Sequence, residues 1–182
     1  MPALPSETLL TLALLSFGAY FSVLVIQGLV HYLRFRRARP TALLTWPAPR
    51  PAHFPLLLAL GTLSAAVAVL NGYLQRPLHH VASQAIMALY FVAMVPLLAR
   101  IQRGLYRDGV WADGGFLPYA RIGRLAFFER PEIVLVLLPR GGLGSAFRLP
   151  VPPHEYAAVR KVLEEKIRAR VLRIEDGILG LS

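Results

Sequence analysis

The sequence predicts a membrane α-helical part with three transmembrane helices, residues 1–103, followed by an α+β part, residues 104–182, in which an antiparallel sheet is closed by one amphipathic helix. Three observations predict it. Charged side chains make up only 16% of the chain and hydrophobic ones 55%, whereas a soluble domain carries about 25% charged residues. The shortage of charge is local: between Thr8 and Gln75 the only formal charges are Arg34, Arg36, Arg37, Arg39 and Arg50. After Gly104 the charge density is ordinary, and continuous apolar runs give way to short strands separated by turns.

The uncharged runs are Thr8 to Leu33, Pro51 to Gln75 and Pro77 to Ala99. A helix rises about 1.5 Å per residue and a hydrocarbon core is about 30 Å thick, so roughly 20 residues cross it. Each run is long enough. The first does not read as a secretory signal, because no basic residue precedes it, it is too long, and the basic cluster follows it. Ser6 is placed to cap this helix and Glu7 suits the positive end of its dipole.

Orientation follows from the arginines. Arg34, Arg36, Arg37, Arg39 and Arg50 lie between the first two runs, and Arg100, Arg103 and Arg107 follow the third. Glu7 alone precedes the first run and Arg76 alone separates the second from the third. Basic residues concentrate in cytoplasmic loops, so the expected location is a bacterial inner membrane, multi-pass, with the N-terminus outside and the C-terminal domain in the cytoplasm. The same arginines are the candidate contacts to anionic lipid headgroups: Arg34, Arg36, Arg37, Arg39, Arg100, Arg103 and Arg107. Fixing topology is the competing role for them.

Within the runs, Gly61, Ala65, Ala68 and Gly72 recur at spacings of three and four, a pattern that lets helices approach closely. The short link at Arg76 and Pro77 makes the second and third helices an antiparallel hairpin. Asn71 and Gln84 are expected at matching depths on it, within reach of a hydrogen bond. No Asp, Glu, Lys or Arg lies inside a run, which argues against an independent pump or channel. His31 is expected at the inner surface and His79 and His80 at the outer one, so these do not share one haem iron. They and His53 read as interfacial residues.

In the C-terminal part, Leu105 to Trp111 reads as a strand with a bulge or tight turn at Asp108-Gly109, and Asp113-Gly114-Gly115 as a turn. Phe116 to Ile122 reads as an edge or bulged strand because of Pro118. Arg124 to Glu129 follows as a strand, then a turn at Arg130-Pro131-Glu132. Ile133 to Leu138 is apolar throughout and is expected to be covered on both faces. Ala146 to Val151 is the last strand, and the residues from Arg173 onward are either a short strand or a tail. Between them Tyr156, Val159, Leu163 and Ile167 form one helical stripe with Val162 beside it, opposite Arg160, Lys161, Glu164, Glu165 and Arg168. Glu164 and Arg168 have the favourable i,i+4 order.

Short antiparallel strands followed by one amphipathic helix resemble a pleckstrin-homology-like (PH-like) domain. The stretches Gly104-Leu-Tyr-Arg-Asp-Gly109-Val and Gly115-Phe-Leu-Pro-Tyr119-Ala-Arg-Ile122 are similar to uncharacterised bacterial membrane proteins that carry such a domain after a few spans. In that family glycines bracket the first hairpin, and an aromatic residue, often tryptophan, stands three before an isoleucine. Tyr119 occupies that position here. The resemblance covers Gly104 to Val171 and implies a fold but no activity.

Composition and motifs exclude several chemistries. With no cysteine there is no disulfide, thiolate site or cysteine nucleophile. Gly141-Gly142-Leu143-Gly144 lacks the lysine of a phosphate loop and reads as a hairpin turn. Asp108, Asp113, Glu129 and Glu132 fall at turns or strand ends. His154 has only Ser145 and Ser182 as serine neighbours in this part, with nothing to activate either. The net charge of +10 is explained by cytoplasmic loops rather than by nucleic acid. The expected role is therefore non-enzymatic and cofactor-free: a membrane-anchored binding module whose PH-like domain contacts the anionic inner leaflet or a protein partner. The alternative is an accessory or assembly subunit of a larger membrane protein complex.

Overall fold

The computed structural model describes residues 6–128, 131–141 and 145–172; of Ser6 only the backbone is described. Helix α1 (Ser6–Ala38) is followed by a 3₁₀ turn and strand β1 (Ala42–Pro47). Then come α2 (Phe54–Tyr73), α3 (Leu78–Ala88), a π-helical turn (Leu89–Met94) and α4 (Val95–Leu98). Strands β2 (Gln102–Tyr106), β3 (Gly109–Ala112), β4 (Gly115–Pro118), β5 (Ile122–Phe128), β6 (Val134–Pro139) and β7 (Phe147–Pro150) precede helix α5 (Tyr156–Arg168). The chain separates into a helical unit, 1–34 with 49–101, and a second unit, 35–48 with 102–182.

In the helical unit, α1, α2 and the continuous third helix Leu78–Leu98 are long and apolar enough to cross a membrane. Their large side chains point outward: Ile26, Leu63 and Val69 are 63%, 62% and 74% exposed. The hydroxyls of Ser16, Ser22 and Thr62 donate to the carbonyls of Leu12, Gly18 and Leu58, one turn back, so they need no external partner. Pro40 ends α1, and Thr41 Oγ1 donates to the freed Ala38 carbonyl at 2.7 Å. Helix α2 stops in a Schellman turn with Gln75 in the left-handed region. The Gln75 and Arg76 amides donate to the carbonyls of Gly72 and Asn71. In the third helix Pro96 has no amide to give Val92, and the turn before it widens to π geometry, with the Val95 amide reaching Tyr90 O.

The second unit holds two antiparallel sheets, β1-β2-β3-β4 and β5-β6-β7. Between them and α5 lies one core built on Leu105, Val110, Ile122, Leu135, Leu149 and Val159. The stripe on α5 packs as the periodicity predicts: Val159 and Leu163 are buried, and Tyr156, Val162 and Ile167 lie against the same core. Glu164 is held by Arg160, whose Nε stands 3.1 Å from its Oε1.

Three strand readings change. Leu105 to Trp111 is two strands, and of the bulge or tight turn read at Asp108-Gly109 it is the turn that forms, one residue earlier at Arg107-Asp108; Gly109 begins β3 where a Cβ would strike Leu117 O and Phe116 Cζ. Phe116 to Ile122 breaks after Pro118 into a 3₁₀ turn, Tyr119–Arg121, so the chain passes from one sheet to the other. The β6 run is covered on one face only: Leu135 and Leu137 are fully buried, whereas Leu138 is 40% exposed. The strand buried at every position is β3. Glu129, Arg130, the residues 142–144 and the tail from Arg173 lie outside the described residues.

One element has no counterpart in the sequence reading. The arginine-rich link after α1 contains β1, which pairs with β2, Thr45 facing Gly104. Gly104 has a φ of +144°, and a Cβ there would overlap Leu44 O and sit 2.8 Å from the Thr45 Cα. Only glycine fits at the crossing. Trp46 Nε1 donates to Pro150 O at 2.9 Å and ties β1 to β7. Gly104→Ala is therefore expected to lower the stability of the second unit by about 2–4 kcal/mol. Thermal melts followed by the fluorescence of the buried Trp46 and Trp111 would show it as an earlier transition. An unchanged melting curve would contradict the close packing of β1 on β2.

Candidate functional site

The second unit gathers basic residues from distant parts of the chain. The last turn of α1 carries Phe35, which is buried with its ring edge-on to Trp111 at 5.6 Å between centroids. With Phe35 turned inward, Arg36, Arg37 and Arg39 are exposed. The Arg107 amide donates to Thr41 O at 2.8 Å, and Ala42 faces Tyr106 across the β1–β2 ladder. Exposed Arg107 thus stands beside the arginines that end α1. Asp108 is the carboxylate on the same turn.

The scaffold under this surface is a polar network at the edge of the core. Tyr119 Oη donates to Tyr106 O at 3.0 Å and Tyr106 Oη to Gln102 O at 3.1 Å. Lys166 on α5 donates to Arg107 O at 2.9 Å while its ammonium lies 5.4 Å from the centre of the Tyr119 ring. The lysine therefore latches α5 to the β2–β3 turn by a charge-assisted bond and a cation–π contact. Burial pushes the Tyr106 phenol up to about 12, with the Arg39 guanidinium pulling the other way. Burial, and to a lesser degree the Asp108 carboxylate, raises the Tyr119 phenol further.

The other candidate arginines are placed differently. Arg103 is paired with Asp113 at 2.6 Å and its side chain is only 19% exposed, so its charge is already engaged within the domain. Arg34 and Arg100 are exposed and belong to the helical unit. Exposed Arg36, Arg37, Arg39 and Arg107 form a cationic surface suited to holding anionic oxygens.

Among the helix-packing candidates, Gly61 makes the closest approach. A Cβ there would lie 2.7 Å from Phe91 Cβ and 2.8 Å from Val92 Cγ2. Ala68 is buried and Ala65 half-buried, but Gly72 is exposed with nothing within 4 Å of where its Cβ would be. Among the described residues no hydrogen bond joins Asn71 to Gln84. Asn71 lies two residues before the end of α2 and Gln84 six after the start of α3, so at about 1.5 Å per residue their depths differ by roughly 6 Å. Sequence reasoning missed Gly18 and Gly28 on α1, which admit Ser83 and Met94 of the third helix to 2.7 and 2.8 Å from where a Cβ would lie. Their spacing of ten residues falls outside the three-and-four pattern that marks such faces. The His79 and His80 rings lie 4.6 Å apart between centroids, tilted at 54°, and His79 Nε2 is buried without a hydrogen-bond partner among the described residues.

The raised phenols predict an alkaline transition with a definite sign. Both groups are neutral in the folded chain to a higher pH than in the unfolded chain, whose tyrosines ionise near pH 10. Their contribution to stability is complete below pH 10; that of Tyr106 is lost as pH rises through about 12, and that of Tyr119 at higher pH still. Tyrosinate absorbance should show two of the seven tyrosines titrating only with unfolding, and Tyr106→Phe should remove one of them. Comparison of the chain with family models, with curated proteins and with solved structures finds no match in any of the three.

Proposed function

We propose that the protein is a non-enzymatic binding module anchored in a bacterial inner membrane. In this reading α1, α2 and the third helix cross the bilayer, and the second unit is a PH-like domain on the cytoplasmic side. Its ligand is the anionic headgroup layer of the inner leaflet, met by Arg36, Arg37, Arg39 and Arg107. The single observation that carries the proposal is the β1–β2 pairing, which joins the arginine-rich link to the domain that follows the third helix. Two spans separate β1 from β2, so a chain that crosses twice returns both strands to one side. This agrees with the side that the basic residues favour and does not depend on that rule.

The four-plus-three arrangement of antiparallel strands followed by a C-terminal helix supports the PH-like reading. Each basic residue at an anionic surface contributes about 1 kcal/mol, and salt weakens the effect within a Debye length of about 8–10 Å. The soluble fragment from Gly104 onward would lack β1, Phe35 and Trp46, so binding belongs to the full chain.

Topology is open to direct labelling because the chain has no cysteine. With a membrane-impermeant maleimide on intact cells, Arg76→Cys should react, while Arg39→Cys and Glu132→Cys should react only after permeabilisation. Reaction of Arg39→Cys and Glu132→Cys from opposite sides would refute the shared sheet. For the ligand, the full chain in mild detergent should be stabilised by added phosphatidylglycerol and not by phosphatidylcholine. Replacing Arg36, Arg37, Arg39 and Arg107 by glutamine should reduce that stabilisation stepwise, as should raised salt. Equal responses to the two lipids would sink the headgroup reading.

A further inference from the structure

Helix α1 is packed along one face and bare along the other. Gly18, Phe21 and Gly28 are buried and Leu14 and Val25 half-buried, all set three or four residues apart. Ala13, Ser16, Tyr20, Val23, Gln27 and Val30 repeat the same spacing, and every one of them is exposed. At 3.6 residues per turn the two series fall on nearly opposite sides of the helix. The bare series is not purely apolar. Ser16 turns its hydroxyl back on Leu12 O, but among the described residues no hydrogen bond reaches the Tyr20 phenol or the Gln27 carboxamide. Gln27 lies six residues inside the end of the uncharged run at Leu33, about 9 Å along the axis. Side chains on a helix lean toward its N-terminus, so Gln27 leans toward the bilayer centre and away from the nearer headgroups. An amide held there without a partner is costly, and a second helix supplies one.

We infer that α1 pairs in parallel with α1 of a second copy of this chain along this stripe, with the two Gln27 carboxamides hydrogen-bonded to each other. The side chains select the partner. A carboxamide and a phenol each both donate and accept, so each is its own complement across a two-fold axis, as an isologous interface requires. The stripe carries no charge from Ala13 to Val30, so it offers nothing to an acidic or a basic partner. Two copies inserted alike in one bilayer have parallel α1 helices, the axis runs along the bilayer normal, and each residue of the stripe meets its own mate. The spacing suits that geometry. Ala13, Tyr20 and Gln27 are seven residues apart, as are Ser16, Val23 and Val30, which is the a and d seam of a left-handed helix pair. The small Ala13 and Ser16 leave room beside the Tyr20 rings. One polar residue in such a seam fixes its register. The inference rests on α1 crossing the bilayer.

Single cysteines in the full chain test the pairing without background, since the chain contains none. In native membranes under a membrane-permeant oxidant, Val23→Cys and Val30→Cys should crosslink to a species of twice the monomer mass, because mates across the seam come within reach of a disulfide. Leu15→Cys and Leu29→Cys, at positions 48% and 46% exposed but off the stripe, should stay monomeric. In mild detergent Gln27→Leu should weaken self-association about tenfold, and Gln27→Asn should retain most of it. Crosslinking no stronger at Val23 and Val30 than at Leu15 and Leu29 would overturn the inference. So would self-association indifferent to Gln27→Leu, or capture of a different polypeptide by the stripe cysteines in place of the doubled mass. Maleimide labelling at Arg39→Cys and Arg76→Cys decides the crossing itself, so a failed crosslink with that labelling pattern intact counts against the pairing alone.

Discussion

Six residues between α1 and α2 pair with five that follow the third helix, and the pairing holds because Gly104 leaves room for the backbone of Leu44 and Thr45. Closing so long a loop has an entropic cost that grows only slowly with length. The hairpin between the strands lowers it further. Helix α2 has 20 residues and the third helix 21, each about 30 Å long, so the chain leaves and re-enters the hairpin at nearly one level. The Schellman turn at Gln75 and the π turn before Pro96 are the local adjustments within that hairpin. Once β1 is fixed, Trp46 reaches Pro150 and Thr41 reaches Arg107. The arginines of the link then become part of the domain surface.

The two units satisfy their polar groups in different ways, as their surroundings require. In the helical unit the hydroxyls of Ser16, Ser22 and Thr62 turn back on their own helix, and close approach is achieved by omitting side chains at Gly18, Gly28 and Gly61. Close approach at small residues is the mode of association that suits helices in lipid. In the second unit the buried phenols of Tyr106 and Tyr119 are spent on backbone carbonyls of the same sheet, and Lys166 adds the bond that fastens α5. That network holds the β2–β3 turn where Arg107 stands.

The sequence makes the three apolar helices and α5 legible, because length, absence of charge and helical spacing are properties of single segments. The link from Arg34 to Arg50 is read for its charge alone. Leu44 and Trp46 alternate with Thr45 in a run bounded by Pro40 and Pro47, which is a weak strand signal, but its partner lies after the third helix. Non-local pairing of that kind leaves little trace in a local pattern. The apolar run of β6 suggests cover on both faces, yet composition states only what a strand tolerates and not what is packed on it. Arg103 looks the same as Arg107 in sequence, and only the proximity of Asp113 separates a structural guanidinium from an available one.

The glycines and core residues of the stretches 104–110 and 115–122 serve the scaffold. Gly104 lets two strands cross, Gly109 lies against Leu117 O, and Gly115 takes a φ of +107° at the β3–β4 turn. Tyr119 and Ile122 are buried, one bonded to Tyr106 O and one in the core. A motif made of such positions transfers a shape and no chemistry. Exposed Arg36 and Arg37 lie on α1, Arg39 on the 3₁₀ turn after it, and Arg107 within the first stretch at the tip of the β2–β3 turn, where the fold neither demands nor forbids them. A surface charge with no structural duty is the place to look for function, and here the fold collects four of them around one strand pair.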